Sequence, residues 1–233
     1  MYELFQKIGI VLSQRQREQF DEFTKLLLEW NQKMNLTAIT DPEEIVLKHY
    51  LDSALLFQTK VIRQGMKTID VGCGAGFPSI PAKIIRPDLQ FTLLDSLYKR
   101  LYFLDCVIET LQLQQIETLH MRAEDAGQEE RYRQKYELCV ARAVAPLNIL
   151  MEYCTPFVEK DGYFVALKGP DGFRELEEAK HAMQILGMEL TETLERKIPS
   201  TDQERVLLVF QKVKETPPQY PRKAGKPCKK PLC

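Results

Sequence analysis

Asp70 to Gly76, in DVGCGAG, sets three glycines at alternate positions directly after an apolar run. Bare backbone of this kind takes positive φ and lets a ligand approach the main chain. The amides opening the next helix can then meet an anionic group. Tight packing alone would also require such a turn, so the glycines by themselves leave two uses open. Their spacing separates the ligands: a dinucleotide loop reads G-x-G-x-x-G, whereas here Gly72, Gly74 and Gly76 alternate and Phe77 stands where the last glycine would be. A nicotinamide cofactor loses ground on that count. Further along, Asp95 closes FTLLD, and RAEDA and ARAVAP bring Glu124, Asp125 and Arg142 to the ends of later apolar runs.

Elements must hold these groups. TIDV, FTLLD, IETLH, ELCVA and YFVALK read as strands, with helices at 79–85, from Ser96 onward, at 147–158 and at 174–186. Ser96 is expected to cap the helix in which Leu97, Leu101, Leu104, Ile108 and Leu111 form one face. Such alternation implies right-handed crossovers and a parallel sheet covered on both faces. ELTETLERKI and RVLLVFQKV, separated only by a short loop, predict a terminal antiparallel hairpin. The first sixty residues read as helical. Ser13 with Gln16 makes a capping box, and Asp41, Pro42 and two glutamates open a second helical run that ends near Thr59. The expected division is a helical extension at 1–60, an α/β domain at 61–215 and a basic, proline-containing tail at 216–233.

The D-x-G-x-G-x-G loop resembles the S-adenosylmethionine loop of Rossmann-like class I methyltransferases, in which the glycines approach the methionine part of the cofactor. The hairpin agrees, since that superfamily adds an antiparallel last strand to a seven-stranded, mostly parallel sheet. Asp95 lies about 20 residues beyond the loop, where a carboxylate accepts both ribose hydroxyls, or else caps the next helix. Ala123 offers a backbone contact to adenine, and Glu124 or Asp125 an acceptor for its amino group. A solvated acidic loop is the alternative there.

NLTAITDPEEIVLKHYLDS, IDVGCGAGFPSIPAKIIRPDLQFTLLDSLYKRLYFL, RAED, ARAVAPLNILMEYCTPFV, GYFVALKG and YPRKAGKPCKKPL together resemble the RsmG (GidB) family, which methylates guanine N7 at one site of 16S rRNA. Cys73 and Ser79 depart from the family's usual alanine and glycine. The resemblance implies cofactor contacts at Gly72, Phe77, Ala123 and Glu124, ribose binding by Asp95 with its neighbours Ser96 and Leu97, and Arg142 at the active site. No metal is implied. Guanine N7 already carries a lone pair, so transfer from a sulfonium is a direct displacement needing alignment and no general base. Arg142 would bind O6, a phosphate or the cofactor carboxylate through its planar fork, with a strand-end ion pair as its alternative role.

The chain of 233 residues has net charge −1, yet Thr216 onward holds Arg222, Lys223, Lys226, Lys229 and Lys230 without an acid, leaving −6 for the rest. With its prolines the tail reads as an extended basic arm for RNA, joined by Lys168. The six cysteines and three histidines are scattered, which argues against a zinc site or a disulfide framework. With no apolar run of membrane length and no basic-then-apolar leader, a cytosolic monomer is the default, with 16S rRNA or the small ribosomal subunit as partner. A methyltransferase of another substrate and a non-catalytic ribosome-associated RNA-binding protein are the competing readings.

Overall fold

Ser13 starts the first long helix as its spacing from Gln16 predicts. Its Oγ accepts from the Gln16 amide at 3.3 Å, and Gln16 Oε1 accepts from the Ser13 amide at 2.8 Å. In the computed structural model, which describes residues 2–232, this helix (α1, Gln14–Met34) follows a 3-10 turn at Tyr2–Ile8 and buries Phe20, Phe23 and Leu27. Asp41 then caps α2 (Pro42–Ile45), accepting from the Glu44 amide at 2.9 Å. The run continues through a π-helical turn (Val46–Leu51), α3 (Asp52–Ala54) and a 3-10 turn (Leu55–Gln58) that stops at Thr59.

Alternating strands and helices follow: β1 (Lys67–Val71), α4 (Ser79–Ile85), β2 (Gln90–Asp95), α5 (Tyr98–Thr110), β3 (Ile116–His120), α6 (Ala123–Ala126), β4 (Tyr136–Arg142), α7 (Leu147–Cys154) and β5 (Val158–Lys168). Then come α8 (Gly172–Glu178), α9 (Lys180–Leu186), β6 (Met188–Lys197), β7 (Glu204–Lys212) and α10 (Lys226–Lys229). The sheet order is β3-β2-β1-β4-β5-β7-β6. Strands β1 to β5 pair in parallel, and β7 runs antiparallel to both its neighbours. This is the expected α/β sheet with its antiparallel last strand. Because crossovers cover both faces, the central strands are apolar on both sides: Ile69 and Val71 of β1 bury into one layer, Leu138 and Val140 of β4 into the other. The order reverses between β1 and β4, so their carboxyl ends leave a crevice there. The N-terminal helices pack on one face in the same apolar cluster as α4 and α5.

Three local expectations are corrected. Ser96 makes no capping bond; Asp95 Oδ1 accepts from the Leu97 amide at 2.8 Å instead, since the aspartate reaches the first free amide from the strand end. The helix expected at 174–186 divides at Ala179, which is fully buried between α8 and α9. The tail is docked rather than extended. Arg222 forms a two-pronged ion pair with Glu152, which is fully buried in α7, at 2.5 to 3.0 Å. Proline supplies no N–H to build a regular element here, and Arg133 takes three of the tail's carbonyls, those of Thr216, Pro217 and Tyr220, together with that of Gly127, at 2.7 to 3.2 Å.

Candidate active site

Each glycine of the loop has its own task. All three have positive φ (74°, 57° and 89°). A Cβ on Gly74 would meet only a backbone oxygen at 3.9 Å, and the Gly74 amide donates to Asp95 Oδ2 at 3.0 Å. This is backbone left bare beside open space. A Cβ on Gly76 would strike Ile80 at 2.6 Å and Leu104 at 2.8 Å. Gly76 therefore seats α4 and α5 against the loop, and it does not line the cavity beside it.

That cavity, about 520 Å³, lies at the crevice and is bordered by Gly72, Gly74 and Phe77 on one side and by Asp95, Ser96, Ala123 and Glu124 on the other. It falls within the ~300–1,000 Å³ typical of small-ligand sites. Leu97 stays outside, half exposed, tied to the site only through its amide. Asp95 thus lines the cavity and holds the Leu97 amide just ahead of α5, but it caps no amide of the helix itself, whose N-terminus has no side-chain cap. Of the two acids offered by RAEDA, the structure puts Glu124 in the wall and leaves Asp125 exposed. Glu124 Oε1 also accepts from the Gly225 amide at 3.0 Å, which brings the docked tail to this edge.

Behind the loop, Asp70 is fully buried. Its Oδ2 accepts from the Ser79 hydroxyl, and its Oδ1 has no partner among the described residues. Burial pushes its carboxyl up to about 7, against the pull of the Ser79 hydroxyl and the Arg142 charge. Asp70 does not itself border the cavity, whose wall begins at Val71, so this unsatisfied acceptor lies one residue behind the wall.

Arg142 ends β4 and lines both this cavity and a second one of about 730 Å³; the two share His49, Arg142, Ala143 and Val144 as a common wall. Ala143 sits in the left-handed region at φ 56°, which turns the chain sharply between the cavities. The arginine is held from the N-terminal segment. Nη1 donates to Asp52 Oδ2 at 2.8 Å and to the Lys48 carbonyl at 3.4 Å, and Nη2 meets His49 Nδ1 at 3.2 Å. Since Nδ1 must accept there, the His49 proton is on Nε2, donating to Thr37 Oγ1 at 2.8 Å. Burial, reinforced by the Arg142 charge, lowers His49 to about 4, so the ring is neutral near pH 7. It stacks on Phe77 with centroids 4.3 Å apart, and the guanidinium lies 5.0 Å from the same Phe77 ring. Three of five guanidinium N–H groups are thereby committed, which leaves two donors for a ligand.

Asp52 also accepts from Arg205 Nε of β7 at 2.9 Å. Lys168 lines the second cavity but is buried, paired with Glu175 at 2.7 Å and donating to the Ala145 carbonyl. Neither Lys168 nor Arg222 is a free cation; Lys223, Lys226, Lys229 and Lys230 are exposed. His49, Asp52 and Arg205 escape a reading of spacing, because each meets Arg142 or Asp52 only across the fold, and Thr37 joins them only through His49.

A seven-stranded sheet with one antiparallel strand, a glycine-bordered cavity at its switch point and an acid ending β2 define a class I methyltransferase. TrmN from Thermus thermophilus shares this fold, with a TM-score of 0.52 at 18% identity over 70% of this chain and 48% of that one. The family model for rRNA small subunit methyltransferase G, GidB, matches residues 16–205. Proteins named ribosomal RNA small subunit methyltransferase G are 48% identical over 227 residues in Alkaliphilus oremlandii and 49% over 229 residues in Lactobacillus helveticus, each covering 97% of this chain and 95% of the relative. The chain belongs to the rRNA small subunit methyltransferase G family.

Proposed function

We propose that the chain transfers a methyl group from S-adenosylmethionine to N7 of one guanosine in 16S rRNA, acting as a monomer in the cytosol on the rRNA or the small ribosomal subunit. The observation that carries this reading is the common wall at Arg142 and Val144, where a cofactor-sized cavity meets a second one with cationic groups in its lining. When bound, the cofactor supplies an electrophilic methyl on a sulfonium. Asp95 is suited to the ribose hydroxyls, Ala123 and Glu124 to the adenine edge, and Asp70, with its unpartnered Oδ1 one residue behind the Val71 wall, would reach the amino group of the methionine part on a small opening of that wall. Val144, common to both cavities, and Phe77 of the first give their junction an apolar lining that disfavours water at the point of transfer.

On the acceptor side, the two remaining donors of Arg142 suit guanine O6, which leaves N7 turned towards the first cavity. Asp52 matters here because positive charge moves onto the base as N7 attacks. Its carboxylate, shared by two arginines, moderates the cationic wall that charge must face. No side chain needs to accept a proton. The decisive experiment incubates the protein with unmodified 16S rRNA, or the small subunits containing it, and labelled S-adenosylmethionine. Nucleoside mass spectrometry is expected to show one 7-methylguanosine; label on another nucleoside, or none on RNA, would refute the reading.

A further inference from the structure

Among the described residues, three of the seven large apolar side chains left most exposed fall together at the start of α5: Leu97, Tyr98 and Tyr102, at 52%, 61% and 51%. The helix anchors itself with Leu101, Phe103, Leu104 and Val107. The two tyrosines add nothing to that core, yet their rings are ordered. Their centroids are 6.4 Å apart with planes inclined by 26°. Trp30 of α1 meets Tyr102 edge-on at 5.6 Å, and His120 at the end of β3 meets Tyr98 edge-on at 5.5 Å. One end of this row touches the cofactor cavity. His120 Nε2 lies 3.2 Å from the carbonyl of Ser96, a residue of the cavity wall. At the other end Lys33 lies over Trp30 at 5.7 Å.

Two unpaired cations lie beside the rings. Lys99 and Arg122 are exposed and form no ion pair among the described residues, and Arg100, 42% exposed, pairs with Asp95 at 3.5 Å. The neighbouring acids are engaged: Glu29 with Lys33 at 3.5 Å, and Asp105 accepting from Thr118 at 2.8 Å. We propose that the row from His120 through Tyr98 and Tyr102 to Trp30 is a stacking platform for unpaired bases of the RNA that flanks the modified nucleotide. Every base has a π face, so such a platform works without reading sequence, while the cations beside it take the phosphates. Its continuity with the cofactor cavity sets it beside the strand that delivers the target base. The platform rests on the rRNA methyltransferase reading for the identity of its natural ligand.

The test replaces Tyr98 and Tyr102 together by Ala and, separately, by Phe; both side chains are exposed, and circular dichroism checks the fold. Affinity for fluorescein-labelled single-stranded oligoadenylate is expected to fall about 5- to 100-fold with Ala and to survive with Phe. KM for 16S rRNA should rise in step, with kcat and S-adenosylmethionine affinity unchanged. Unaltered oligoadenylate affinity in the Ala pair overturns the platform, as does equal loss with Phe. A wild-type dimer that the Ala pair dissociates in sedimentation would give the surface to a second copy and overturn it too. If the wild type binds oligoadenylate through these rings but methylates no rRNA, the platform stands and the proposed reaction falls.

Discussion

Arg142 commits most of its guanidinium to Asp52, Lys48 and His49, so its geometry is fixed before any ligand arrives. Arg142→Ala is expected to lower kcat at least 100-fold in single-turnover methylation, with a smaller fall in S-adenosylmethionine affinity by calorimetry, because without its charge the Asp70 carboxyl rises further. Arg142→Lys should not restore the rate, because an ammonium cannot reproduce the planar fork. Stability should fall by only about 1–3 kcal/mol, since Asp52 keeps Arg205.

One half-buried and one fully buried group of this site, His49 and Asp70, titrate in opposition. His49, lowered to about 4, contributes stability that is lost as pH falls from its unfolded value near 6.5. Asp70, raised to about 7, contributes stability below about pH 4 that is lost as pH rises to 7. Between about pH 4 and 6.5 their slopes, each about 1.4 kcal/mol per pH unit, cancel. Asp70→Asn should unmask acid sensitivity in urea unfolding, and His49→Gln the reverse trend. Affinity for S-adenosylmethionine should also fall below pH 7 in the wild type, by up to about tenfold per unit, and lose that dependence in Asp70→Asn. The chemistry of Asp70 was legible only as part of a loop pattern. Its isolation depends on β2 and α4 closing over it, which no local spacing records.

The loop between β1 and α4 separates the glycine that faces open space at the cavity from the one that serves packing. Gly74→Ala meets open space, so it should weaken cofactor binding at least tenfold and cost about 1–2 kcal/mol for the left-handed backbone. Gly76→Ala collides with Ile80 and Leu104, and thermal unfolding should show a larger loss, about 2–4 kcal/mol. Sequence spacing revealed the loop, the strand order's class and the terminal hairpin, because each follows from periodicity and local punctuation. The different job of Gly76 was invisible, since Leu104 is reached through the next helix but one. The π turn in Val46–Leu51 was equally hidden: the apolar stripe there is compatible with a regular helix, and only the bonds of Lys48 and His49 to Arg142 mark it out.

Across the whole molecule, the tail is a structural member as well as a bearer of charge. Deleting residues 216–233 strips a fully buried carboxylate, Glu152, of its partner, and is expected to cost about 3–5 kcal/mol. Differential scanning calorimetry should show a midpoint lower by roughly 10 °C, and Glu152→Gln should recover part of that loss in the deleted chain while destabilising the full one. The tail's composition correctly revealed its basic character, and four of its lysines remain exposed. Composition could not reveal that its arginine is claimed by an acid 70 residues away.

Asp52, held by Arg142 from β4 and by Arg205 from β7, joins positions separated by 153 residues. A protein made from its N-terminus has its glycine loop and its arginine long before Arg205 leaves the ribosome. Until then Asp52 has only one of its two partners, and the second cavity lacks the wall that β7 supplies. The second cavity is therefore among the last features of the growing chain to be completed, and a product terminated before Arg205 lacks that wall.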